Sequence, residues 1–170
     1  MILPQYFIEH LCDLLPISFI ELIYNKGFFT APASTKYHGN YEGGLYNHSR
    51  IVTETLVELT KNNKLEWQNP RSPYIVGMFH DLCKIDSYRK NGDKWEYNTD
   101  APLNGHGDKS VILLSQHIAL TDEEIMCIRY HMGAFTDEKE WSYYSRAVEN
   151  YPNVLWTHTA DMIASKLFKT

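Results

Sequence analysis

Cysteine is scarce in this chain, and what there is does not pair. Cys12, Cys83 and Cys127 are scattered through 170 residues, with no Cys-x-x-Cys and no even framework. A disulfide scaffold is thereby excluded, and the usage suits a reducing cytoplasm. Long apolar runs are missing too. Met1 leads straight into Ile2-Leu3-Pro4-Gln5 without a basic segment, so neither a signal peptide nor a membrane span is expected. Positive charge is not in excess either: the formal net charge is −5 and the isoelectric point is near 5.9. Duplex DNA is therefore not an expected partner, since phosphate neutralisation calls for a basic face. A local groove for single-stranded RNA stays open. There is no internal repeat, no low-complexity tract and no interdomain linker. With 44% hydrophobic residues the chain is long enough for one domain with its own core.

What the chain does have is helical periodicity with clear punctuation. Leu3 to Leu15 reads as an amphipathic helix stopped by Pro16, and Ile17 to Tyr24 as a second, capped by Gly27. Phe28 to Asn40 reads as an ordered loop. From Leu45 the positions Leu45, Val52, Leu56, Val57 and Leu59 recur at helical spacing to about Lys61. Ser72 is the expected N-cap of an apolar helix from Tyr74 to Phe79, with Pro73 at its first position. Asp86–Lys90 and Lys94–Asn98 flank an Asn91-Gly92 turn signal and read as a hairpin. His106 opens a helix that runs to about His117. Thr121 and Glu124 form a capping box for one ending at His131. Trp141 to Asn150 and a segment from Pro152 through Leu167 complete the helices. The expected fold is mostly α: a single-domain helical bundle over residues 1–170 with a small inserted β-hairpin at about residues 86–98. Residues 1–29 form an amino-terminal helical extension of a core spanning 30–168.

The chemistry gathers at Phe79-His80-Asp81-Leu82-Cys83-Lys84. An apolar helix that ends on an imidazole and a carboxylate places two natural ligands for a divalent cation side by side. Such a pair inside a core is costly unless it binds something. His48, His106, His131 and Asp161 stand at or near other helix edges. Singly each has a bland reading: His48 a polar first-turn residue, His106 a loop residue, His131 favoured by a helix C-terminus, Lys84 a solvated lysine closing a helix. Asp161 resists its bland reading, being an acid on a helix that otherwise looks buried. His158, three residues earlier, shares its face as a candidate partner. His10 and His117 are assigned to surface or packing.

In their order along the chain, His48, His80-Asp81, His106, His131 and Asp161 resemble the HD-domain metal-dependent phosphohydrolase superfamily. The segment His38-Gly39-Asn40-Tyr41-Glu42-Gly43-Gly44-Leu45-Tyr46-Asn47-His48-Ser49 is similar to the one before the first ligand in bacterial HD-domain exoribonucleases. His80-Asp81-Leu82-Cys83-Lys84 resembles the HD-x-x-K signature; Gly105-His106, Tyr130-His131-Met132-Gly133 and Thr159-Ala160-Asp161 resemble the remaining segments. The likeness covers roughly residues 30 to 168. No nucleic-acid-binding barrel precedes it, which turns the expectation from RNA toward small molecules.

The resemblance implies a metal set of His48, His80, Asp81, His106, His131 and Asp161, with Asp81 bridging two divalent transition-metal ions: iron, manganese, nickel or cobalt. Asp81 and Lys84 would be catalytic, and Lys84 and His38 would bind substrate. The expected reaction is hydrolysis of a phosphoester bond in a nucleotide or related small phosphorylated molecule by metal-activated water. The same ligand order also serves di-iron oxygenases of the superfamily. A non-catalytic metal- or nucleotide-binding module is the third alternative. Among the twelve tyrosines, Tyr37, Tyr41 and Tyr46 are near enough to His48 in sequence to line a pocket for a base. Phe135 to Tyr151 is a candidate lid or specificity segment.

Overall fold

A computed structural model describes every residue of the chain except His38, Asp93, Asn104 and Thr170. Eight α-helices are present among the described residues: α1 Gln5–His10, α2 Ile17–Asn25, α3 Gly44–Asn63, α4 Ser72–Phe79, α5 Gly107–Ser115, α6 Asp122–Arg129, α7 Trp141–Asn150 and α8 Asn153–Met162. Between α4 and α5 lies one antiparallel hairpin, β1 Tyr88–Asn91 and β2 Lys94–Tyr97. The fold is mostly helical with a small inserted hairpin, as the periodicities predict. No described helix is long and apolar enough to cross a membrane.

A single apolar cluster links the ends of the chain. It runs from Phe7, Leu11 and Phe19 through Leu45, Leu56, Ile75 and Phe79 to Val154, Ala160 and Ala164. The amino-terminal helices belong to this core. Phe19 and Phe28 set their rings 5.4 and 5.7 Å from that of Phe79, the last residue of α4. Helix α4 is buried along nearly its whole length and packs against α3. Gly77 makes the approach close: a Cβ there would lie 2.6 Å from Thr53 Cα and 2.9 Å from its Oγ1.

Several boundaries differ from the sequence reading. The expected helix from Leu3 to Leu15 is α1 followed by a 3-10 turn at Cys12–Leu14. Pro16 has no N–H to continue the ladder onto Cys12, and Leu15 N–H closes onto Cys12 O instead. Ser72 does not cap α4. Its hydroxyl donates to the buried carboxylate of Glu124, 3.0 Å away, and Arg71 takes the N-cap position. Glu124 also completes the capping box by accepting from the Thr121 N–H at 2.9 Å. One carboxylate thus joins the starts of α4 and α6. Helix α6 ends at Arg129, two residues before His131, as Tyr130 leaves helical geometry at φ −106°, ψ 18°. The last helix widens into a π-helix at Ile163–Phe168.

The packing of α4 on α3 yields a first prediction. Gly77→Ala forces a Cβ into the backbone of Thr53, and such overpacking costs about 1–3 kcal/mol. Urea denaturation followed by circular dichroism is expected to show a lowered midpoint with the slope unchanged.

Candidate metal centre

The site is built from helix ends. An α-helix leaves its last carbonyls without intrahelical partners. At two helix termini here a histidine ring takes up one of them. His80 Nδ1, just beyond α4, lies 2.8 Å from Gly77 O, and His131 Nδ1, beyond α6, lies 2.7 Å from Ile128 O. A carbonyl only accepts, so Nδ1 carries the proton in both rings and Nε2 is left to face inward. Local backbone accounting therefore sets the tautomer and the aim of both imidazoles.

Those inward atoms converge on Asp81, which is 2% exposed. His80 Nε2 is 3.5 Å from its Oδ2, and His131 Nε2 is 3.6 Å from its Oδ1. From α3, His48 Nε2 lies 3.8 Å from Asp81 Oδ2 and 3.1 Å from Asp161 Oδ1, so α8 joins the cluster through Asp161. His106, at the start of α5, places Nε2 2.8 Å from Asp81 Oδ1. Gly107 lets it come so near, since a Cβ there would sit 2.1 Å from Arg129 O at the end of α6. The four imidazoles form a chain: His48 to His80 at 5.3 Å between centroids, His80 to His131 at 4.9 Å, and His131 to His106 at 4.9 Å. The structure thus brings together all six residues that the sequence singles out as ligands.

Charge in the cluster is arranged around the two acids. Burial works against the ionised form of Asp81, but Lys84, His80 and His106 outweigh it and hold its carboxyl well below the usual carboxylate range. Asp161 is likewise held low against its burial, through its bond to His48. Burial lowers His48 and His131 and keeps both neutral. His106 is pushed up to about 10, because the Asp81 carboxylate overcomes the burial penalty. Lys84 Nζ, itself buried, sits 2.6 Å from Asp81 Oδ2. Lys84 is therefore engaged with the aspartate and is also part of the wall of the cavity above it.

The donor set fits a cation. His80 Nε2 and His131 Nε2 are buried, face a carboxylate, and make no hydrogen bond among the described residues. His131 is held neutral by its burial, and a neutral imidazole lone pair directed at a carboxylate is repulsive until something positive lies between them. Three overlapping groups have ligand atoms within 4.8 Å of one another: His48, His80 and Asp81; His80, His131 and Asp161; and Asp81, Cys83 and His106. These buried groups could hold a metal ion. The carbonyl ends of α4 and α6 add negative potential at the same place.

Several residues enter the site that sequence reasoning missed. Cys83 Sγ lies 3.4 Å from His106 Nδ1, behind the ring. Above the cluster opens a cavity of about 740 Å3 lined by Lys84, Lys109, Lys166, His158, Tyr88 and Tyr97 among others. Lys109 follows His106 by three residues on α5, a spacing that signals a shared face. Nothing local marks Lys166. His158 is not bonded to Asp161 as its helix spacing suggests; its Nδ1 pairs with His131 O at 2.8 Å and braces that turn. Of the tyrosines proposed to line a pocket, Tyr37 does so, whereas Tyr46 packs 5.3 Å from Phe29 in the core and Tyr41 bonds to Asn47. His38, expected to bind substrate, lies outside the described residues. Of the 135–151 segment, Phe135 alone reaches the large cavity.

No protein-family model, curated protein or solved structure matches the chain.

A ligand that binds only the folded state raises its stability by mass action, about 2.7 kcal/mol at a hundredfold excess over Kd. Manganese or cobalt added to chelator-stripped protein is expected to raise Tm by roughly 5–10 °C for a domain of this size. Binding displaces the proton on His106, so the shift is smaller at pH 6 than at pH 8. Differential scanning fluorimetry reads both effects, and Asp81→Asn is expected to abolish the shift.

Proposed function

We propose that the chain is a metal-dependent phosphohydrolase of the HD-domain kind, acting on a phosphoester bond of a nucleotide or related small phosphorylated molecule. The observation that carries the reading is the clustering of His48, His80, His106, His131 and Asp161 about Asp81 at the floor of a cavity that also holds three lysines. His48, His80, Asp81, His106, His131 and Asp161 would hold two divalent transition-metal ions, with iron, manganese, nickel and cobalt all compatible with imidazole and carboxylate donors. Such ions, when bound, supply a polarised phosphoryl group and an acidified water.

The chain's own residues supply the rest. Asp81 stays ionised because Lys84 and His106 are held against it, so it is ready to ligate without losing a proton first. Lys84 is the cation nearest the centre, 2.6 Å from Asp81 Oδ2, and offers its remaining N–H donors toward the cavity. Lys109 lies in the same wall, paired to Asp86. Lys166 is exposed, lines the cavity and makes no ion pair among the described residues, which leaves it free to meet a phosphate. A phosphate group would find positive charge at the floor and at the mouth. The cavity's volume falls within the ordinary range for small-molecule sites, about 300–1,000 Å3, which supports a compact substrate.

Metal-loaded protein assayed against a panel of phosphomonoesters and phosphodiesters is expected to release product. Lys84→Ala is expected to lower kcat by about a hundredfold, the scale of losing one preorganised charge at a reacting centre. Absence of turnover across the panel, with metal bound, overturns the reading. Oxygen uptake in its place would move the protein to the oxygenase class.

A further inference from the structure

The hairpin inserted between Asp81 and His106 is the part of the site that no metal chemistry explains. Its register pairs Tyr88 with Tyr97, Arg89 with Glu96, Lys90 with Trp95 and Asn91 with Lys94. Directly opposed residues share a face, and alternation divides the hairpin in two. One face is polar: Arg89 bonds to Glu96 at 3.0 Å, as does Asn91, and Arg89 also meets Asp100. The other face carries Tyr88, Tyr97 and Trp95, with Lys90 over the Trp95 ring, and it is this face whose two tyrosines line the cavity above the candidate metal centre.

An isolated two-stranded hairpin is marginal in water. This one is anchored at its base. Lys109, 2% exposed, forms an ion pair with Asp86; Asn98 Nδ2 donates to Asp86 O; and Ser87 Oγ donates to Cys83 O. At its far side Lys90 reaches Glu42 at 3.7 Å. These anchors hold an aromatic face in place with little for it to cover. Tyr97 is 68% exposed although its ring is only 5.4 Å from that of Tyr88, and Tyr37 and Phe135, 80% and 65% exposed, line the same cavity. The cavity therefore has a charged floor and an aromatic rim.

The geometry points to the Tyr88–Tyr97 face as a stacking platform for the nucleobase of a mononucleotide, which makes the hairpin the specificity element of the site. Charge complementarity sets the orientation: the phosphate goes to Asp81's cations and the lysines, and the planar, uncharged end goes to the tyrosines. Arg89, Asn91 and Glu96 are occupied with one another on the opposite face of the hairpin, so the platform reads a flat π-face rather than the edge of one base. The inference rests on the phosphohydrolase reading for the phosphate end of the ligand.

Calorimetry on manganese-loaded full-length protein tests it, with hydrolysis-resistant phosphonate analogues of adenosine 5′-monophosphate and of ribose 5-phosphate as probes. Wild type is expected to bind the nucleoside analogue about tenfold or more tighter, in line with one stacked base. Tyr97→Ala is expected to remove the preference and Tyr97→Phe to keep it. Tyr97 is exposed, so an unchanged melting temperature in both variants certifies the fold. Equal binding of the two analogues by wild type, or a preference that survives Tyr97→Ala together with Tyr88→Ala, overturns the platform. Phosphate release from adenosine 5′-monophosphate, measured alongside, separates the two claims. Selective binding without turnover of adenosine 5′-monophosphate or of any other member of the phosphoester panel overturns the hydrolase reading and leaves the platform; turnover without base preference does the reverse.

Discussion

A carboxylate taken out of water must be compensated, and Asp81 is the place where this protein does so. Its two oxygens draw in Lys84, His106, His80, His131 and His48, and those partners come from α3, the end of α4, the start of α5 and the end of α6. The bundle is arranged so that its helix termini meet there. Close approach of α4 to α3 at Gly77 and of α5 to α6 at Gly107 brings the backbone near enough for short polar side chains to converge. Without a cation, protons on His80 and His106 and the ammonium of Lys84 balance the two acids. A metal ion would take over that balance.

The tautomers of His80 and His131 tie folding to chemistry. Each ring gives its Nδ1 proton to an orphan carbonyl three residues back, which terminates a helix and orients a ligand atom in one contact. The same economy appears behind them. His158 braces His131 through its carbonyl, and Cys83 lies behind His106. His158 stands outside the six-residue cluster, whereas Cys83 both backs His106 and has its sulfur within reach of an ion shared with Asp81 and His106.

The helical architecture was legible because it leaves a local signature, and the six candidate ligands stood out only through their joint order along the chain. Apolar residues at helical spacing gave α3 and α4; His80 and Asp81 stood out at the end of an apolar helix, and Asp161 as an acid on a helix that otherwise looks buried. What depends on distant partners was not legible. Ser72 has the sequence of an N-cap, but Glu124, fifty-two residues later, takes its hydroxyl. Tyr46 is two residues from His48 and still turns into the core, where Phe28 and Phe29 enclose it. Lys109, Lys166 and Tyr88 become part of one cavity only when α5, the final helical turns and the hairpin are folded together. Proximity to His48 proved a poor guide to the cavity wall, since of Tyr37, Tyr41 and Tyr46 only Tyr37 lines it.

The most direct test of the account is the metal content of the purified protein by elemental analysis, wild type beside Asp81→Ala. About two transition-metal ions per chain are expected, as a centre bridged by one carboxylate requires, with their loss in the variant. No metal in the wild type, even after reconstitution, would contradict it and leave Asp81 as the hub of a purely structural polar core.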